Sequence, residues 1–528
     1  MRRLFSLLLT FALVVANTAA AAAPPSLPPG FDDQVAQVMK AFEVPGVAIT
    51  VVKDGQVVLA KGYGVKRLGE AAPVDDATLF GIASNSKVFT AVALALLVEE
   101  GKLEWDVPVV RFMPAFQLWD PWVTRELTVK DLLVHRSGLG LGAGDLLWWP
   151  ASTLDRGEIV KRLRFIPPST SFRSAYAYDN VLYLAAGQLI EAVTGQKWEE
   201  FVNQRILAKA GMTRSTVRYA DAVTRGNVAA THAKVDGALR LVAPLQVDNF
   251  NPAGGILSSA SDMAKWLSVL LERGRLADGT RLYSEKTARE LDALVTPLVV
   301  PPLDDDRTKE LDTLRPNFVG YGLGLFVTDY RGHKVVAHTG GLPGFLSRVV
   351  RVPDANLGIS VLTNQESDEA FKVISWLLTD HFLDAPKSDW LAAFQKEAAR
   401  QKKKTAEALK KSAAARDPKS RPSLPLKGYA ATYRDAWYGD ITLTLEKDRL
   451  VMRFGHTPSL VGDLEPWQHD TFVVRWRDRE LRADAFVTFA LDPDGKVEQA
   501  KMRAVSPETD FSFDFQDLLL KPVPAPKR

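Results

Sequence analysis

Apolar and polar positions divide the chain into regions of different periodicity, and the first region opens with a hairpin pattern. Two β-prone runs, at 47–52 and 56–62, are separated by a Lys-Asp-Gly turn, which is typical of two antiparallel strands. Three later stretches have the length and apolar content of buried helices; they lie at 85–100, 184–195 and 261–272.

Strand patterns return toward the end of this long region. The β-prone runs lie at 322–328, 334–338, 346–352 and 357–363. Strands at both ends with helices between them predict one α+β domain. In such a domain, the first and last strands meet in a shared sheet.

The last region alternates with a period of two, the pattern of half-buried strands. Ile441, Leu443 and Leu445 fall on one face and threonines fall on the other. About eight such runs, separated by turn residues, reach Phe515 and predict a small antiparallel barrel or sandwich. Structural support and ligand binding are both open as roles for it.

A basic segment that is poor in large apolar residues separates the two regions. Its helical part, 390–411, contains three consecutive lysines; a solvated linker helix and a contact with an anionic membrane or cell wall both fit this pattern. The predicted organisation is a leader at 1–23, an α+β domain at 24–385, a basic helical linker at 386–425 and a β domain at 426–523.

The leader has the three parts of a secretory signal peptide. Arg2 and Arg3 precede a short apolar stretch at 4–15, and small residues follow at 19–23. An uncleaved membrane anchor is the alternative, although the stretch is short for a bilayer. No later stretch is long and apolar enough to span. We therefore expect a periplasmic or secreted protein with no transmembrane span after signal removal.

Composition narrows the chemistry. The 528 residues carry a net charge of +3 and include no cysteine. The balanced charge argues against a nucleic-acid partner. The absence of cysteine excludes disulfides, thiolate metal sites and a cysteine nucleophile. Seven scattered histidines form no metal-binding pattern, so we expect neither a metal nor an organic cofactor.

The most informative short pattern is Ser84-Asn85-Ser86-Lys87, which opens a predicted helix. Residues three apart on a helix share a face, with Cβ atoms about 5–6 Å apart, so Ser84 and Lys87 can touch. A serine nucleophile needs a base, and lysine can serve when burial and the helix N-terminus lower its pKa. A helix N-cap serine with a surface lysine fits the same four residues.

A second segment places Tyr178 and Asn180 just before the helix predicted at 184–195. A tyrosine can relay a proton between a nucleophile and a leaving group. An asparagine side chain offers both a donor and an acceptor. A turn with a buried tyrosine would require the same residues, so this segment alone decides nothing.

A third segment, His338-Thr339-Gly340-Gly341, follows a predicted strand. A glycine-rich strand end lets a substrate lie along the backbone as an added strand, so these four residues are candidates for substrate binding. A backbone N–H there can complete an oxyanion hole with the N–H of Ser84. An ordinary strand-end histidine is the alternative for His338.

Together and in this order, the three segments resemble the serine β-lactamase and penicillin-binding-protein superfamily. The similarity is to class C β-lactamases, D-alanyl-D-alanine carboxypeptidases, D-aminopeptidases and related esterases. It extends over about 30–385, and supporting stretches lie at 132–139, 187–195, 211–212 and 253–258. The resemblance implies a β-lactamase-like domain with a central antiparallel sheet flanked by helices and an active site at their junction.

The resemblance also implies a role for each matching residue. Ser84 is the expected nucleophile, and Lys87 its general base or electrostatic partner. Tyr178 is expected to share proton transfer and Asn180 to position the substrate amide. The backbone N–H groups of Ser84 and Gly341 form the expected oxyanion hole. Whether Lys87 or Tyr178 takes the first proton is open.

Two positions depart from the common pattern of the superfamily. His338 stands where many lactamases have a lysine, and histidine is mostly neutral at pH 7 because its unperturbed pKa is about 6.5. This predicts weaker selection for a substrate carboxylate and favours esters, amides or small peptides. Asp179 replaces a common serine; its charge is expected to raise the pKa of Lys87 or to favour a cationic substrate.

The terminal β region resembles the lipocalin-like C-terminal domains of some hydrolases of this superfamily, which restrict access to the active site or support assembly. The matching residues are diffuse, around 428–439. The predicted function is an exported serine hydrolase that forms a Ser84 acyl-enzyme with an ester, an amide or a D-amino-acid peptide, cell-wall peptides included. The alternatives are a β-lactamase or D-Ala-D-Ala carboxypeptidase, and a non-catalytic binding or scaffold protein.

Overall fold

The structure, a computed structural model, describes residues 25–302, 304 and 306–524. The leader predicted at 1–23 lies outside the described residues. None of the described helices combines the length and the apolar character that a membrane crossing requires.

An open eight-stranded antiparallel sheet organises the first part of the chain, in the order β2-β1-β12-β11-β10-β9-β8-β7. The strands of this part are β1 Gly46–Lys53, β2 Gln56–Gly64, β3 Phe80–Gly81, β4 His232–Val235, β5 Ala238–Leu241, β6 Leu257–Ser258, β7 Thr296–Leu298, β8 Val319–Tyr321, β9 Phe326–Tyr330, β10 His333–Leu342, β11 Phe345–Val352 and β12 Leu357–Thr363. β1 pairs with β12, with Val47 opposite Thr363. The predicted meeting of the first and last strands is confirmed.

Helices cover both faces of this sheet. They are α1 Phe31–Phe42, α2 Lys87–Glu99, α3 Pro121–Glu126, α4 Arg156–Arg162, α5 Val181–Thr194, α6 Trp198–Val202, α7 Tyr219–Arg225, α8 Asn251–Gly254, α9 Ala260–Leu271, α10 Glu285–Leu291, α11 Lys309–Asp312, α12 Asp368–Phe382 and α13 Trp390–Ala414. The apolar faces of α1 and α12 pack on one side of the sheet. α9 packs against β1 and β12 on the other side, with α2 and α5 beyond it.

The three helices predicted from the apolar pattern are α2, α5 and α9. The Ser259 side chain accepts a hydrogen bond from the Asp262 N–H and so caps the start of α9. α5 ends at Gly195, which adopts a φ of 73° that favours glycine. These local signals explain why the ends of the helices lie close to the predicted ones.

The strand predicted at 322–328 begins later than expected, at Phe326 of β9, because the chain turns between β8 and β9. Gly324 adopts a φ of 80°, which lies outside the range of extended strands. A Cβ on Gly324 would lie 3.1 Å from the carbonyl oxygen of Lys87. The turn therefore lets the backbone approach the start of α2.

The last part of the chain forms a closed barrel of eight antiparallel strands, as the predicted α+β-plus-barrel fold class requires. Its strands are β13 Thr432–Asp435, β14 Gly439–Glu446, β15 Arg449–Phe454, β16 Val461–Gln468, β17 Thr471–Trp476, β18 Ala485–Leu491, β19 Val497–Ala504 and β20 Leu519–Pro522. Ile441 and Leu443 are buried inside, whereas Leu445 is 40% exposed. Leu445 departs from the predicted interior face because it lies beside the turn that ends β14, at the barrel rim.

The basic segment between the two parts begins as the predicted helix, α13. Its first turn is buried through Trp390, Ala393 and Phe394. Most of its remaining length is exposed, which fits the linker interpretation of its composition.

The barrel docks directly on the helical region of the first domain. The Arg162 guanidinium of α4 donates hydrogen bonds to the carbonyl oxygens of Trp437 and Tyr438. Arg482 forms an ion pair with Glu366, at 2.6 Å. A buried apolar cluster continues from the helical region into the barrel interior. This docking places the loop between β19 and β20 over the end of β10.

Candidate active site

Ser84 lies on a 3₁₀ turn, Ala83–Ser86, that leads directly into α2. Ala83 adopts a φ of 48°, a conformation that is costly for a residue other than glycine. The turn is fixed to β11, because the Asn85 amide donates to Ser347 Oγ at 2.8 Å and Ser347 Oγ donates to the Ile82 carbonyl at 2.7 Å. A rigid backbone therefore presents the Ser84 hydroxyl.

The Lys87 amine is fully buried one turn after Ser84. Its Nζ lies 3.1 Å from Ser84 Oγ, 2.7 Å from Asn180 Oδ1 and 3.0 Å from the Ala253 carbonyl oxygen. Burial lowers the pKa of Lys87 to about 7, although the charges of Asp145 and Asp179 oppose this shift. A large share of this lysine is therefore neutral near pH 7.

The contacts of Lys87 fit a neutral amine in one orientation. Asn180 Oδ1 and the Ala253 carbonyl oxygen act here as acceptors, so they take two N–H groups of the amine. The remaining direction faces Ser84 Oγ, and a neutral amine has its lone pair there. In this arrangement, the Ser84 hydroxyl donates to Lys87, which is the geometry of a nucleophile with its base.

Tyr178 lies close to both Ser84 and Lys87. Its ring centre is 4.8 Å from Lys87 Nζ. Desolvation raises the pKa of the Tyr178 phenol well above its ordinary value, although the nearby Ser84 hydroxyl lowers it. The phenol therefore keeps its proton at neutral pH and can donate it.

Asn180 is held on both sides of its amide. Its Oδ1 accepts from Lys87, and its Nδ2 donates to Asp145 Oδ2 at 2.8 Å. Asp145 also accepts from Trp148 Nε1 and from Ser512 Oγ, each at 2.8 Å. Burial raises the pKa of Asp145 to about 7, against the lowering effect of these donors. Sequence reasoning assigned Asn180 to the substrate and missed Asp145, which has no spacing signal.

His338 lies at the buried side of the same site, within β10. Its Nδ1 hydrogen-bonds the Thr339 carbonyl oxygen, and its Nε2 lies 2.9 Å from the Tyr321 hydroxyl. Because a carbonyl oxygen only accepts, the network assigns the proton to Nδ1 and the Tyr321 hydroxyl donates to Nε2. Burial and the Lys87 charge lower the pKa of His338 to about 3. This histidine is therefore neutral in the working pH range.

The glycine-rich end of β10 runs beside the Ser84 turn. A Cβ on Gly340 would lie 2.2 Å from the Ile82 carbonyl oxygen, so only glycine allows this approach. Gly341 pairs with Leu346 of β11, and it lines one cavity with Ser84 and Thr339. The structure thus brings the three sequence segments together around Ser84.

The carboxylate of Asp179 is fully buried. It lies beside His135, with Oδ1 3.9 Å from the imidazole Nδ1, and Ser137 Oγ donates to it at 3.4 Å. Its charge raises the pKa of Lys87, which was one of the two effects expected from it. The second expected effect was a preference for a cationic substrate. Because the Asp179 carboxylate is fully buried, it does not contact a substrate directly.

The cavity over Ser84 has a volume of about 390 Å³ and is closed in part by the barrel. Asp510, Phe511 and Ser512 belong to the loop between β19 and β20, and all three line the cavity together with Trp148, Trp149 and Leu141 of the first domain. The Phe511 and Tyr178 rings meet edge to face. Sequence reasoning left the role of the barrel open and named none of these residues.

Comparisons with known proteins cover both parts of the chain. The Beta-lactamase family profile matches residues 31–381, and that of a Domain of unknown function (DUF3471) matches residues 415–522. Unguisins hydrolase ungD of Aspergillus violaceofuscus is 27% identical over 444 residues, which are 79% of this chain and 76% of that protein. Penicillin-binding protein 4 of Amycolatopsis lactamdurans is 30% identical over 336 residues, which are 61% of this chain and 81% of that protein.

A solved structure shares the fold over both parts. The octameric penicillin-binding protein homologue from Pyrococcus abyssi has a TM-score of 0.57 at 22% identity, and the match covers 93% of this chain and 99% of that chain. The family profile spans more than half of the present sequence. The chain therefore belongs to the beta-lactamase family, within the superfamily of serine β-lactamases and penicillin-binding proteins.

Proposed function

We propose that this protein is an exported serine hydrolase that forms an acyl-enzyme on Ser84 with an ester, an amide or a D-amino-acid-containing peptide. The observation that carries the proposal is the buried Lys87 amine, 3.1 Å from Ser84 Oγ and held by two acceptors. The hydrolase among its relatives supports hydrolysis as the reaction class.

In the proposed acylation, Ser84 Oγ attacks the substrate carbonyl carbon while its proton passes to Lys87 Nζ. The oxyanion that forms accepts hydrogen bonds from the backbone N–H groups of Ser84 and Gly341. The bond from the carbonyl carbon to the leaving group then breaks, and the leaving alcohol or amine takes a proton from Tyr178. Lys87 then passes the serine proton to Tyr178 and is neutral again. Water then attacks the acyl carbonyl carbon while Lys87 takes one of its protons. The bond from that carbon to Ser84 Oγ breaks, Lys87 returns the proton to Oγ, and the products are the acid and free Ser84.

Lys87 is the first base in this scheme. Burial lowers the pKa of Lys87 to about 7, whereas desolvation raises that of Tyr178 well above its ordinary value. An amine with a pKa near the working pH is the better acceptor of the serine proton. Tyr178 then acts as the donor to the leaving group.

The charge of the cavity supports esters, amides and peptides over penicillins. Among the described residues that line the cavity, none is a lysine or an arginine. The neutral His338 stands where a cation would hold a substrate carboxylate, and Asp510 adds a carboxylate of its own. A β-lactamase or D-Ala-D-Ala carboxypeptidase activity therefore remains the second candidate, supported by the penicillin-binding relative.

The first test labels the protein with a fluorophosphonate and measures the intact mass. We expect one adduct on the wild type, none on Ser84→Ala, and a normal adduct on Ser171→Ala, an exposed serine. The same proteins are then assayed with p-nitrophenyl esters, D-amino-acid anilides and benzylpenicillin. Equal turnover by Ser84→Ala would refute the nucleophile. A folded wild type that neither reacts nor turns over a substrate would favour a non-catalytic binding protein.

Export is tested separately. Fractionation of cells that express the full chain, followed by N-terminal sequencing, is expected to give a protein that starts near residue 24 in the periplasm or medium. Recovery of the unprocessed chain from the cytoplasm would contradict export without affecting the proposed chemistry.

A further inference from the structure

We propose that the barrel domain is a working part of the active site, with Ser512 as a positioning residue that holds Lys87 through Asp145 and Asn180. This inference rests on the proposed function, because it concerns the base that activates Ser84. It assigns a role to a residue from a domain whose family profile carries no function.

The geometry is a continuous chain of hydrogen bonds from the barrel to the base. Ser512 Oγ donates to Asp145 Oδ2 at 2.8 Å, and Asn180 Nδ2 donates to the same oxygen at 2.8 Å. Asn180 Oδ1 then accepts from Lys87 Nζ at 2.7 Å. All four side chains are buried, so water does not replace these partners.

Other contacts fix the loop that carries Ser512. The Asp514 carboxylate accepts from the backbone N–H groups of Gly144 and Leu146, at 2.6 and 3.1 Å, on either side of Asp145. Asp510 Oδ1 accepts from the Ser512 N–H at 2.9 Å. These contacts place the Ser512 hydroxyl against Asp145 before any substrate arrives.

The charge of Asp145 decides how the Asn180 amide points. An ionised carboxylate only accepts, so it selects the Nδ2 side of the amide and leaves Oδ1 for Lys87. A protonated Asp145 can donate to Oδ1, and the amide is then free to turn its Nδ2 toward Lys87. That orientation would remove an acceptor from Lys87 and draw its lone pair toward Asn180 Nδ2, away from Ser84 Oγ. The Ser512 hydroxyl favours the ionised form of Asp145, because it donates to that form.

Several other titratable groups on neighbouring elements face this series of hydrogen bonds, and their charges affect the pKa values of Asp145 and Lys87. Asp514 lies beside Asp145, and burial with the Asp145 charge raises the pKa of Asp514 well above its ordinary value, so it keeps its proton more readily. The other groups near Lys87 are Asp179, Tyr178, Tyr183, His135 and His338. Asp145 is therefore the carboxylate whose ionisation the Ser512 hydroxyl controls.

The test follows the rate of fluorophosphonate labelling of Ser84 as a function of pH, which needs no knowledge of the substrate. For Ser512→Ala we expect the maximal labelling rate to be about tenfold lower. This is the size of effect expected when one hydrogen bond to a charged group is lost. We also expect the acid limb to move to lower pH by up to about one unit, because loss of the Asp145 charge lowers the pKa of Lys87. Ser512→Thr keeps the hydroxyl and is expected to restore both.

The matched control is Ser506→Ala on the same loop. The Ser506 hydroxyl accepts from the Glu508 N–H and should leave the pH profile unchanged. Thermal unfolding of each variant separates positioning from stability, since a merely structural Ser512 would lower the unfolding temperature and leave the acid limb in place. A folded Ser512→Ala with the wild-type limb overturns this inference alone. A wild type that is not labelled at Ser84 overturns the proposed function, and this role of Ser512 with it.

Discussion

Phe511 of the barrel loop lies edge-on to Tyr178 of the first domain, with ring centroids 5.9 Å apart and ring planes at 86°. The contact joins a residue of the C-terminal domain to one of the three side chains proposed to act on the substrate. Both rings line the cavity over Ser84. The barrel therefore limits the size of the cavity over Ser84.

Replacing Phe511 by alanine should widen the cavity and broaden the range of substrates. We expect kcat/KM to rise for long-chain p-nitrophenyl esters relative to the acetate, because the phenyl ring occupies the space that a longer chain needs. A series of esters from acetate to octanoate measures this ratio. Val299→Ala, at a residue that is 91% exposed, is the control. An unchanged chain-length profile in Phe511→Ala would show that the ring does not limit the cavity.

The rate of hydrolysis should rise with pH through about 7, the pKa to which burial lowers Lys87. The base form of the amine is the active one, so activity is lost as pH falls below this value and retained above it. Lys87→Arg keeps a permanent cation and should lose about 10²–10⁴ of the rate, the usual contribution of a general base. A pH profile of kcat/KM checks the sign, and a rate that increases toward acid would contradict it.

A cation at position 338 should increase the reaction with penicillins. In His338→Lys, the Tyr321 hydroxyl and the Thr339 carbonyl oxygen can accept from two ammonium hydrogens, since both already bond His338. The third is then available for a substrate carboxylate. We expect faster benzylpenicillin adduct formation by intact mass, with His338→Gln as the neutral control. Equal adduct rates in both variants would mean that charge at this position does not select the substrate.

Gly340→Ala should damage both stability and activity. The added Cβ would lie 2.2 Å from the Ile82 carbonyl oxygen, so β10 must move away from the Ser84 turn. Overpacking of this kind costs about 1–3 kcal/mol. Thermal unfolding and fluorophosphonate labelling measure the two effects. Gly157→Ala is the control, because Gly157, like Gly340, has no positive φ and its added Cβ would meet only Asp155 Oδ1, at 3.3 Å.

The sequence could predict the parts of the site that depend on local geometry. Ser84 and Lys87 are three residues apart, so a helical turn alone brings them into contact. The resemblance carried by the motif order also implied the sheet, and the period-two alternation predicted a small antiparallel barrel or sandwich. Asp145 is 35 residues from Asn180, and Ser512 is 367 residues from Asp145. The first contact depends on the tertiary packing of one domain and the second on how two domains dock, and no periodicity in the sequence encodes either.

The departures within the fold have local physical causes. The strand predicted at 322–328 begins only at Phe326 because Gly324 turns the chain toward α2. Leu445 continues the alternation of Ile441 and Leu443 but lies at the barrel rim, where an apolar side chain is partly exposed. A period-two pattern indicates which face of a strand a side chain lies on. It does not show where along the strand that face stops being buried.

The pairing of β1 with β12 has a consequence for the order in which the protein matures. A chain emerges from the ribosome with its N-terminus first. Val47 therefore cannot pair with Thr363 until residue 363 has been synthesised. The cavity over Ser84 is likewise incomplete until residues 510–512 have been synthesised. The proposed nucleophile, Ser84, is thus synthesised early, and its surroundings are assembled late. Through most of its synthesis, the growing chain therefore carries Ser84 without the paired β1 and β12 strands and without the barrel loop that complete the cavity over it.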